Sequence, residues 1–494
     1  MTGACAARAA SDATLAVGVG AQRGVYVSDA TSVSAVSGVP ASAAGTRVSA
    51  GPLAQLAWAV FDGARSPYNV LVNIFVFSAY FSTVVIPDPV RGQAMWSFVT
   101  STAAIIVALT APVLGAIADA GGRRKPWLVA TIVIGIPSML MLWYATPGMT
   151  SGLWVIVLAL IGGTLFFEHS AIFLNAMLPN IARPERIGFL SGAGLALANV
   201  FGIILFLFFL FAWSWNPHPL FGLDPAAHEP ERAVGILAAL AIAIFGLPLF
   251  FFTPDSPSTR RSIPEAVRHG LRSLLETLRK IREYRNAATF LLSRIFFYEG
   301  FIVLMLFTGV FAAGILHWTA TMLIVEGLIN SVVAALAGLF AGWLDTRIGS
   351  KKSTILFVSG CLIGNLVLCS VTPNMVFFIP IDTAASAAAA ATGGLFPTLP
   401  DKVFLVTQCS IAFLVTGGMV TGRAMMAKLA PPTMLNEFFG LFAMSGTATS
   451  FVGPASIGIL TTVFQSQRAG VAVGLVFLLA GLLVLFKVRE PASG

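Results

Sequence analysis

The chain has 494 residues, of which 57% are hydrophobic and only 10% are charged, and its mean hydropathy is +0.88. A soluble domain carries about 25% charged residues, and a single soluble core stops growing beyond roughly 250–300 residues. The composition therefore excludes an ordinary soluble protein and favours an integral membrane protein. The net charge of +8 does not indicate nucleic-acid binding, because the basic residues stand between apolar blocks.

The chain begins with a stretch rich in Ala, Ser, Val and Gly, which lacks the apolar core of a signal peptide. Residues 1–54 are therefore predicted to form a disordered tail. Twelve apolar blocks follow, each long enough to cross about 30 Å of hydrocarbon as a helix. The prediction is an all-α integral membrane protein with twelve transmembrane helices, at residues 56–86, 94–118, 127–146, 152–178, 188–213, 233–252, 288–315, 319–344, 354–372, 403–427, 438–464 and 469–487.

A polar segment, residues 253–287, divides the blocks into two sets of six, 55–252 and 288–489. Its apolar residues recur at helical spacing and its basic residues fill the other face. That pattern is typical of an amphipathic helix lying on a membrane surface. A regulatory binding site for a partner is the alternative interpretation of the same pattern.

The basic residues also predict the orientation. With both termini on one side, 23 of the 29 Lys and Arg residues fall on that side, and four fall on the other. The positive-inside rule then places both termini in the cytoplasm and residues 373–402 outside. The expected location is the plasma or inner membrane of the cell.

The two halves repeat weakly after their second blocks. Asp119, Gly122 and Arg123 follow block two, and Asp345 and Arg347 follow block eight. Two six-helix halves in the same orientation are what a parallel repeat about an axis along the membrane normal requires. These residues are predicted to form gating loops that clamp neighbouring helix ends, with contact to substrate as the alternative.

The segment from Asp119 to Lys125 resembles the signature of the major facilitator superfamily. More specifically, the chain resembles the vacuole effluxer-like branch, which is related to the autophagy-linked vacuolar amino-acid exporter. The resemblance covers about 55–489 and implies the major facilitator fold, in which spans 1, 4, 7 and 10 line a central path. Four segments carry it: Asp62–Tyr68, Tyr298–Gly300, Arg423 ahead of Pro431 and Pro432, and Phe438–Pro454.

The chain departs from that family's pattern at four positions. The family usually has Trp and Asn where Gly63 and Arg65 stand, Asp at Glu299 and Lys at Thr447. All four are polar positions or neighbours of polar positions inside the predicted spans. The resemblance therefore implies the fold more firmly than it implies the family's substrate.

Charged residues inside predicted spans mark the candidate path, because a charge at mid-bilayer costs about 2.5–3.5 kcal/mol on insertion scales. Such side chains are expected to face a cavity or a partner. The transport-path candidates are Asp62, Arg65, Asn69, Asn73, Glu168, Arg294, Tyr298 and Glu299, and His169, Glu326, Gln408, Thr416 and Thr421 are further polar groups.

The first four candidates form a stripe on span 1, with spacings of three, four and four residues. Asp62 and Arg65 either serve the path or only neutralise each other. His169 is either a packed, hydrogen-bonded histidine or a proton carrier. Glu299 is the deepest acid, with Arg294 five residues earlier as the nearest cation in the sequence.

The predicted function is secondary active transport by alternating access, driven by protons, of amino acids or similar small polar metabolites. Acids and arginines on both halves suit the two charges of an amino acid. The alternatives are an exporter of lipophilic drugs or an importer of cell-wall fragments on the same fold, and a non-transporting receptor or scaffold. No nucleotide-binding motif, metal-ligand spacing or catalytic constellation is visible, so the sequence predicts no enzyme, no metal and no cofactor, and a monomer in the bilayer.

Overall fold

A computed structural model describes residues 50–120, 123–255, 264–265, 268, 272, 281–391, 393–431 and 434–489. Within these ranges it has twelve helices long and apolar enough to cross a membrane. We number them as spans 1–12. They are Pro52–Val85, Pro89–Ala118, Lys125–Tyr144, Leu153–Ile181, Phe189–Ser214, Glu229–Phe252, Arg285–Ile315, Ala320–Ile348, Ser350–Ser370, Leu399–Leu429, Phe438–Phe464 and Gln467–Phe486.

The predicted fold class is confirmed: the described residues are almost entirely helical, and each predicted span end lies within five residues of the observed one. The blocks find the spans because lipid leaves the backbone no partner but itself, so an apolar run of this length must be helical. Outside the spans, Met375–Val376 pairs with Ile379–Pro380 in a short hairpin, and Thr383–Ala390 is a helix in the same connection.

Span 1 is not a uniform α-helix. An α-helix over Pro52–Pro67 continues as π-helix over Tyr68–Phe75, as a helical turn over Phe77–Tyr80 and as π-helix over Phe81–Val85. The wider turns are visible in the backbone, where each residue bonds five positions back rather than four; the Val76 N–H reaches the Leu71 carbonyl at 3.1 Å. Short π segments inside helices are uncommon and are frequent at functional sites.

Span 11 is two helices rather than one. Leu435–Thr447 ends, four residues form turns, and Val452–Phe464 begins. Pro454 lies in the first turn of the second helix, where its missing N–H costs nothing. The break therefore leaves a helix N-terminus inside the bundle, in a segment that contains Gly446, Gly453 and Pro454.

Spans 1–6 form one half and spans 7–12 the other. Span 1 packs mainly on spans 5 and 6, and span 7 packs mainly on span 12. The halves meet where span 2 lies on span 11, span 5 on span 8 and span 1 on span 7. We call the side where span 1 begins and span 12 ends the termini end, and the other side the opposite end.

Two predicted segments lie wholly or largely outside the described residues. These are the tail, of which only residues from 50 onward are described, and the amphipathic linker. Gly122 and the side chain of Asp119 also fall outside them. Span 1 begins at Pro52, so its first three residues lie within the predicted tail.

Candidate functional site

The polar group on span 1 is bound to span 4. Arg65 Nε donates to Asp62 Oδ1 at 2.8 Å, as their three-residue spacing predicts. Arg65 Nη1 donates to the carbonyl of Phe167 at 3.0 Å, and its guanidinium lies 4.7 Å from that ring. Both charged side chains are buried, so the pair is held in place by span 4 rather than exposed to lipid.

The remaining stripe follows the π-helical part of span 1. Asn69 and Asn73 are half-buried, and Asn73 Nδ2 donates to Asn69 Oδ1 at 3.4 Å. Between them and the ion pair, the Tyr68 hydroxyl donates to the Leu160 carbonyl at 2.9 Å. Polar groups thus line span 1 from Asp62 to Asn73, and Arg65 and Tyr68 among them bond span 4.

Glu168 lies within electrostatic range of groups in both halves. Its carboxyl interacts with the Arg65 guanidinium in its own half and with Tyr298 on span 7 in the other. Its neighbour His169 is directed to span 2 instead, where Nε2 lies 2.8 Å from Thr110 Oγ1. The structure therefore favours the packed, hydrogen-bonded interpretation of His169 and leaves Glu168 as the acid between the halves.

Arg294 on span 7 is clamped by span 11. Nη1 donates to the Phe442 carbonyl and to Ser445 Oγ, both at 2.6 Å. The guanidinium lies 3.7 Å from the centre of the Phe442 ring and 4.7 Å from that of Tyr298. Each half therefore holds one buried arginine against a carbonyl and an aromatic ring, Arg65 in the first and Arg294 in the second.

Glu299 lies at the break in span 11. It is 1% exposed, and Oε2 accepts a hydrogen bond from the Gly453 N–H at 2.8 Å. Thr449 lies beside the carboxyl group. Gly453 is the second residue of the helix Val452–Phe464, so the carboxyl binds an N–H that has no partner within the helix and faces the positive end of the helix dipole.

Arg294 is the cation nearest to Glu299 in the sequence, but the two side chains are not paired in this conformation. The Arg294 side chain bonds span 11 before its break, and the Glu299 side chain bonds it after the break. Among the described residues Glu299 has no ion pair, and its Oε1 has no hydrogen-bond partner. A five-residue separation on an α-helix turns the second side chain about 140° from the first, which explains why they part.

A set of polar contacts joins the halves, and we call it the opposite-end gate. Gln93 on span 2 donates through Nε2 to Thr461 Oγ1 at 2.9 Å and to the Gln467 carbonyl at 3.0 Å. Ser214 at the end of span 5 hydrogen-bonds Thr321 at the start of span 8.

Nearer the middle of the bundle, the Ser101 hydroxyl donates to the Phe451 carbonyl at 3.0 Å. These hydrogen bonds between the two halves lie at the opposite end and in the middle of the bundle. The conformation is therefore closed at the opposite end.

The predicted gating-loop residues lie at the termini end. Lys428 Nζ lies 3.3 Å from Asp345 Oδ2, which ties span 10 to span 8 within one half. The Arg347 guanidinium lies 5.7 Å from the ring of Trp343, and Arg123 is exposed. None of these described contacts crosses between the halves, so their gating role stays a prediction.

Some residues of the site were not found from the sequence. Ser445, Phe442, Gly453, Ser101 and Gln93 are uncharged, and their role depends on which spans meet. One signal was present for the break, because Gly446, Gly453 and Pro454 stand within one apolar block. The structure does not show Gln408, Thr416 or Thr421 on the path; it shows Thr421 Oγ1 accepting from Thr354 at 3.0 Å. Within the described residues, no three His, Cys, Asp or Glu side chains are grouped to hold a metal ion.

Solved structures share this architecture. The nucleoside transporter NupG matches with a TM-score of 0.61 at 12% identity, over 88% of this chain and 98% of that one. A D-xylose–proton symporter matches with a TM-score of 0.60 at 13% identity, over 89% of this chain and 97% of that one. A bacterial homologue of the human lysosomal transporter Spinster, inward-facing and unoccupied, matches with a TM-score of 0.58 at 13% identity. The match covers 89% of this chain and 98% of that one. At these identities the likeness establishes the fold.

Twelve spans in two six-helix halves, with buried charged groups in each half, define a membrane transporter of the major facilitator type. The family model described as "Vacuole effluxer Atg22 like" matches residues 83–493, and the chain belongs to this family. The family and the solved neighbours are transporters, so the chain is a transporter and not an enzyme.

Curated relatives agree with this family. The uncharacterized MFS-type transporter YxiO of Bacillus subtilis (strain 168) is 22% identical over 440 residues, which is 88% of this chain and 95% of that protein. Autophagy-related protein 22 of Cryptococcus neoformans is 26% identical over 216 residues. That second match covers 42% of this chain and about a third of the fungal protein, 35%.

Proposed function

We propose that the protein is a proton-coupled secondary transporter for amino acids or similar small polar metabolites. It works as a monomer by alternating access in the plasma or inner membrane, with both termini in the cytoplasm. The observation that carries the proposal is Glu299, a fully buried carboxyl that binds a helix N-terminus and has no cation beside it among the described residues.

Such a carboxyl is suited to gain and lose a proton. The charged form is stabilised by the Gly453 N–H and by the dipole of the following helix, an effect of about 0.3–2 kcal/mol. The neutral form is favoured by burial, because no counter-ion offsets the cost of removing the charge from water. Because these two effects oppose each other, a modest change in the surroundings of Glu299 decides whether it carries a proton.

The site also offers groups for both charges of a small zwitterion. Glu168, between the halves, suits an ammonium group. Arg65 and Arg294 suit a carboxylate, although each now donates to a protein carbonyl. A substrate carboxylate would replace a carbonyl as acceptor, and an ionic acceptor makes the stronger bond. Substrate binding would thereby release one inter-span contact, which connects recognition to movement.

The experiment is counterflow and uptake in proteoliposomes with a labelled amino-acid mixture, with and without a pH gradient. The proposal expects accumulation that needs the gradient and competition by unlabelled amino acids. Competition only by lipophilic drugs or by cell-wall fragments would support the alternative transport functions on this fold. Absence of transport by a folded protein, with Ala variants at Asn69 and Asn73 behaving as wild type, would support a receptor or scaffold.

A further inference from the structure

A second buried carboxyl lies on span 8, away from the groups described above. Glu326 is 1% exposed. Its Oε1 accepts from Asn330 Nδ2 at 3.0 Å, one helical turn along. Its Oε2 and the Asn330 Oδ1 are both buried, and neither has a hydrogen-bond partner among the described residues. One donor for a buried carboxylate is far from full satisfaction, since an ionised carboxyl offers about four acceptor positions.

The spans packed against span 8 offer no cation at this level. Span 10 contributes Cys409, whose thiol interacts electrostatically with the Glu326 carboxyl. Span 5 has no ionisable residue between Phe189 and Ser214. Span 1 meets span 8 through Tyr68–Phe75, whose one ionisable side chain is Tyr68, and its hydroxyl is occupied by the Leu160 carbonyl at 2.9 Å.

The basic residues of spans 9 and 10 lie elsewhere. Lys351 and Arg423 are near the termini end, whereas Glu326 is in the second turn of span 8, at the opposite end. Twenty-two residues of helix, about 33 Å, separate Glu326 from the end of its span. Lys402, at the start of span 10, is exposed to the surroundings.

The neutral acid fits this setting better than the carboxylate. An ionised carboxyl removed from water without a cation costs several kcal/mol. Protonation of Glu326 removes that cost. Its O–H can then donate to the Asn330 amide oxygen after the amide group rotates by 180°. The two ends of an amide differ only in which atom is oxygen, so the same residue serves both states. Asn330 thus donates to the carboxylate and accepts from the acid.

Glu326 lies next to the contact that closes the opposite-end gate. Gly327 packs so closely against the other half that an added methyl group would lie 3.0 Å from the Phe206 ring and 3.3 Å from that of Phe75. Thr321, five residues before Glu326, makes the hydrogen bond to Ser214. Separation of spans 5 and 8 would bring water to this turn of span 8.

We propose that Glu326, with Asn330, is a second proton-binding site. It holds one proton from water while the opposite-end gate is closed and releases it to the opposite-end compartment when spans 5 and 8 separate. The inference rests on the alternating access of the proposed function, but it needs neither a substrate nor Glu299. No other reactant is required, because the only chemical change is one O–H bond formed or broken.

The test measures gate closure against pH without substrate. Full-length protein in nanodiscs, with its four native cysteines replaced by alanine, carries spin labels at His218→Cys and Lys402→Cys, exposed positions on the two halves at the opposite end. Double electron–electron resonance reports the closed and open populations. Glu299→Gln is present throughout, so any contribution of Glu299 is removed.

In that background, raising the pH through the titration of Glu326 should lower the closed-to-open ratio, by up to tenfold per pH unit for one coupled proton. Adding Glu326→Gln should abolish this dependence and keep the gate closed, whereas Glu326→Asp should retain it at a shifted pH. Glu265→Gln, which removes an exposed carboxyl, is the matched control and should change nothing.

An unchanged pH dependence in the Glu326→Gln protein would overturn the proposal. If that variant does not fold, infrared difference spectra of the protein with Glu326 intact replace it. A pH step should then remove a carboxylic-acid carbonyl band, and a spectrum without that band overturns the proposal equally. Neither result bears on whether Glu299 couples transport, so the two hypotheses fail separately.

Discussion

The carboxyl of Glu299 in span 7 caps the second helix of span 11, with Oε2 2.8 Å from the backbone nitrogen of Gly453. Ser101 of the other half reaches the same break, through the Phe451 carbonyl at 3.0 Å. A proton arriving at Glu299 would therefore weaken the cap at the place where span 2 meets span 11.

Glu299→Gln should abolish proton-driven accumulation and keep substrate exchange. Glutamine imitates the protonated acid and cannot release a proton, while exchange needs no net proton movement. Uptake and counterflow in proteoliposomes measure the two activities, and Glu265→Gln is the control. Normal accumulation by Glu299→Gln would move the coupling site to Glu168 or Asp62.

Arg294→Ala should lower stability by about 1–3 kcal/mol, because it removes the hydrogen bonds to the buried Phe442 carbonyl and Ser445 Oγ and leaves that carbonyl only the Ser445 hydroxyl as a side-chain donor. Ser445→Ala removes only one of the two acceptors of Arg294 Nη1 and should cost less. Thermal unfolding in detergent compares the two. Equal melting temperatures for Arg294→Ala and the unsubstituted protein would show that the clamp contributes nothing.

Gln93→Leu should shift the conformational equilibrium away from closure at the opposite end. It removes two hydrogen bonds between the halves, and a net loss of about 1 kcal/mol corresponds to about a fivefold change in populations. Spin-label distances between the halves measure the shift. Thr462→Ala, whose hydroxyl bonds only its own helix at Gly458, is the control and should leave the populations as they are.

Asp119→Asn and Arg123→Ala should slow turnover while leaving substrate affinity nearly unchanged. These residues follow span 2 at the termini end and are expected to bias one conformation rather than bind ligand. Initial rates and equilibrium binding measured on the same protein separate the two quantities. A large loss of affinity at normal maximal rate would assign them to the binding site.

Impermeant thiol reagents should label Ser262→Cys from the cytoplasmic side only and Ser386→Cys from outside only. The expectation follows from the distribution of basic residues between the two sides of the bundle. Intact cells and inverted vesicles provide the two exposures. Labelling of residue 262 in intact cells would reverse the proposed orientation.

The sequence was sufficient to predict the spans but not the hydrogen-bond partners of the buried charged residues. Apolar blocks predict where the helices lie, because hydrocarbon tolerates only a self-bonded backbone. The Asp62–Arg65 pair was also predictable, since it is local to one turn of helix. The partners of Arg294 and Glu299 lie about 150 residues away in span 11, and only the packing of spans 7 and 11 brings them together.

The break in span 11 was missed for a related reason. Its residues are apolar or small, so the block reads as one continuous span, and hydropathy does not register where a helix stops. What marks the break is a change in backbone bonding over four residues. Small residues and a proline within an apolar block are the sign to look for in other chains.

The π-helical stretch Tyr68–Phe75 bears on how this chain should be compared with its relatives. A π turn accommodates one residue more than an α turn, and each residue of an α-helix advances by about 100°. Because the wider turn absorbs that extra residue, a relative that lacks it would keep the facing of the helix on both sides of the stretch. A gap-free alignment would then match Asn73 with a residue that points about 100° away around the helix.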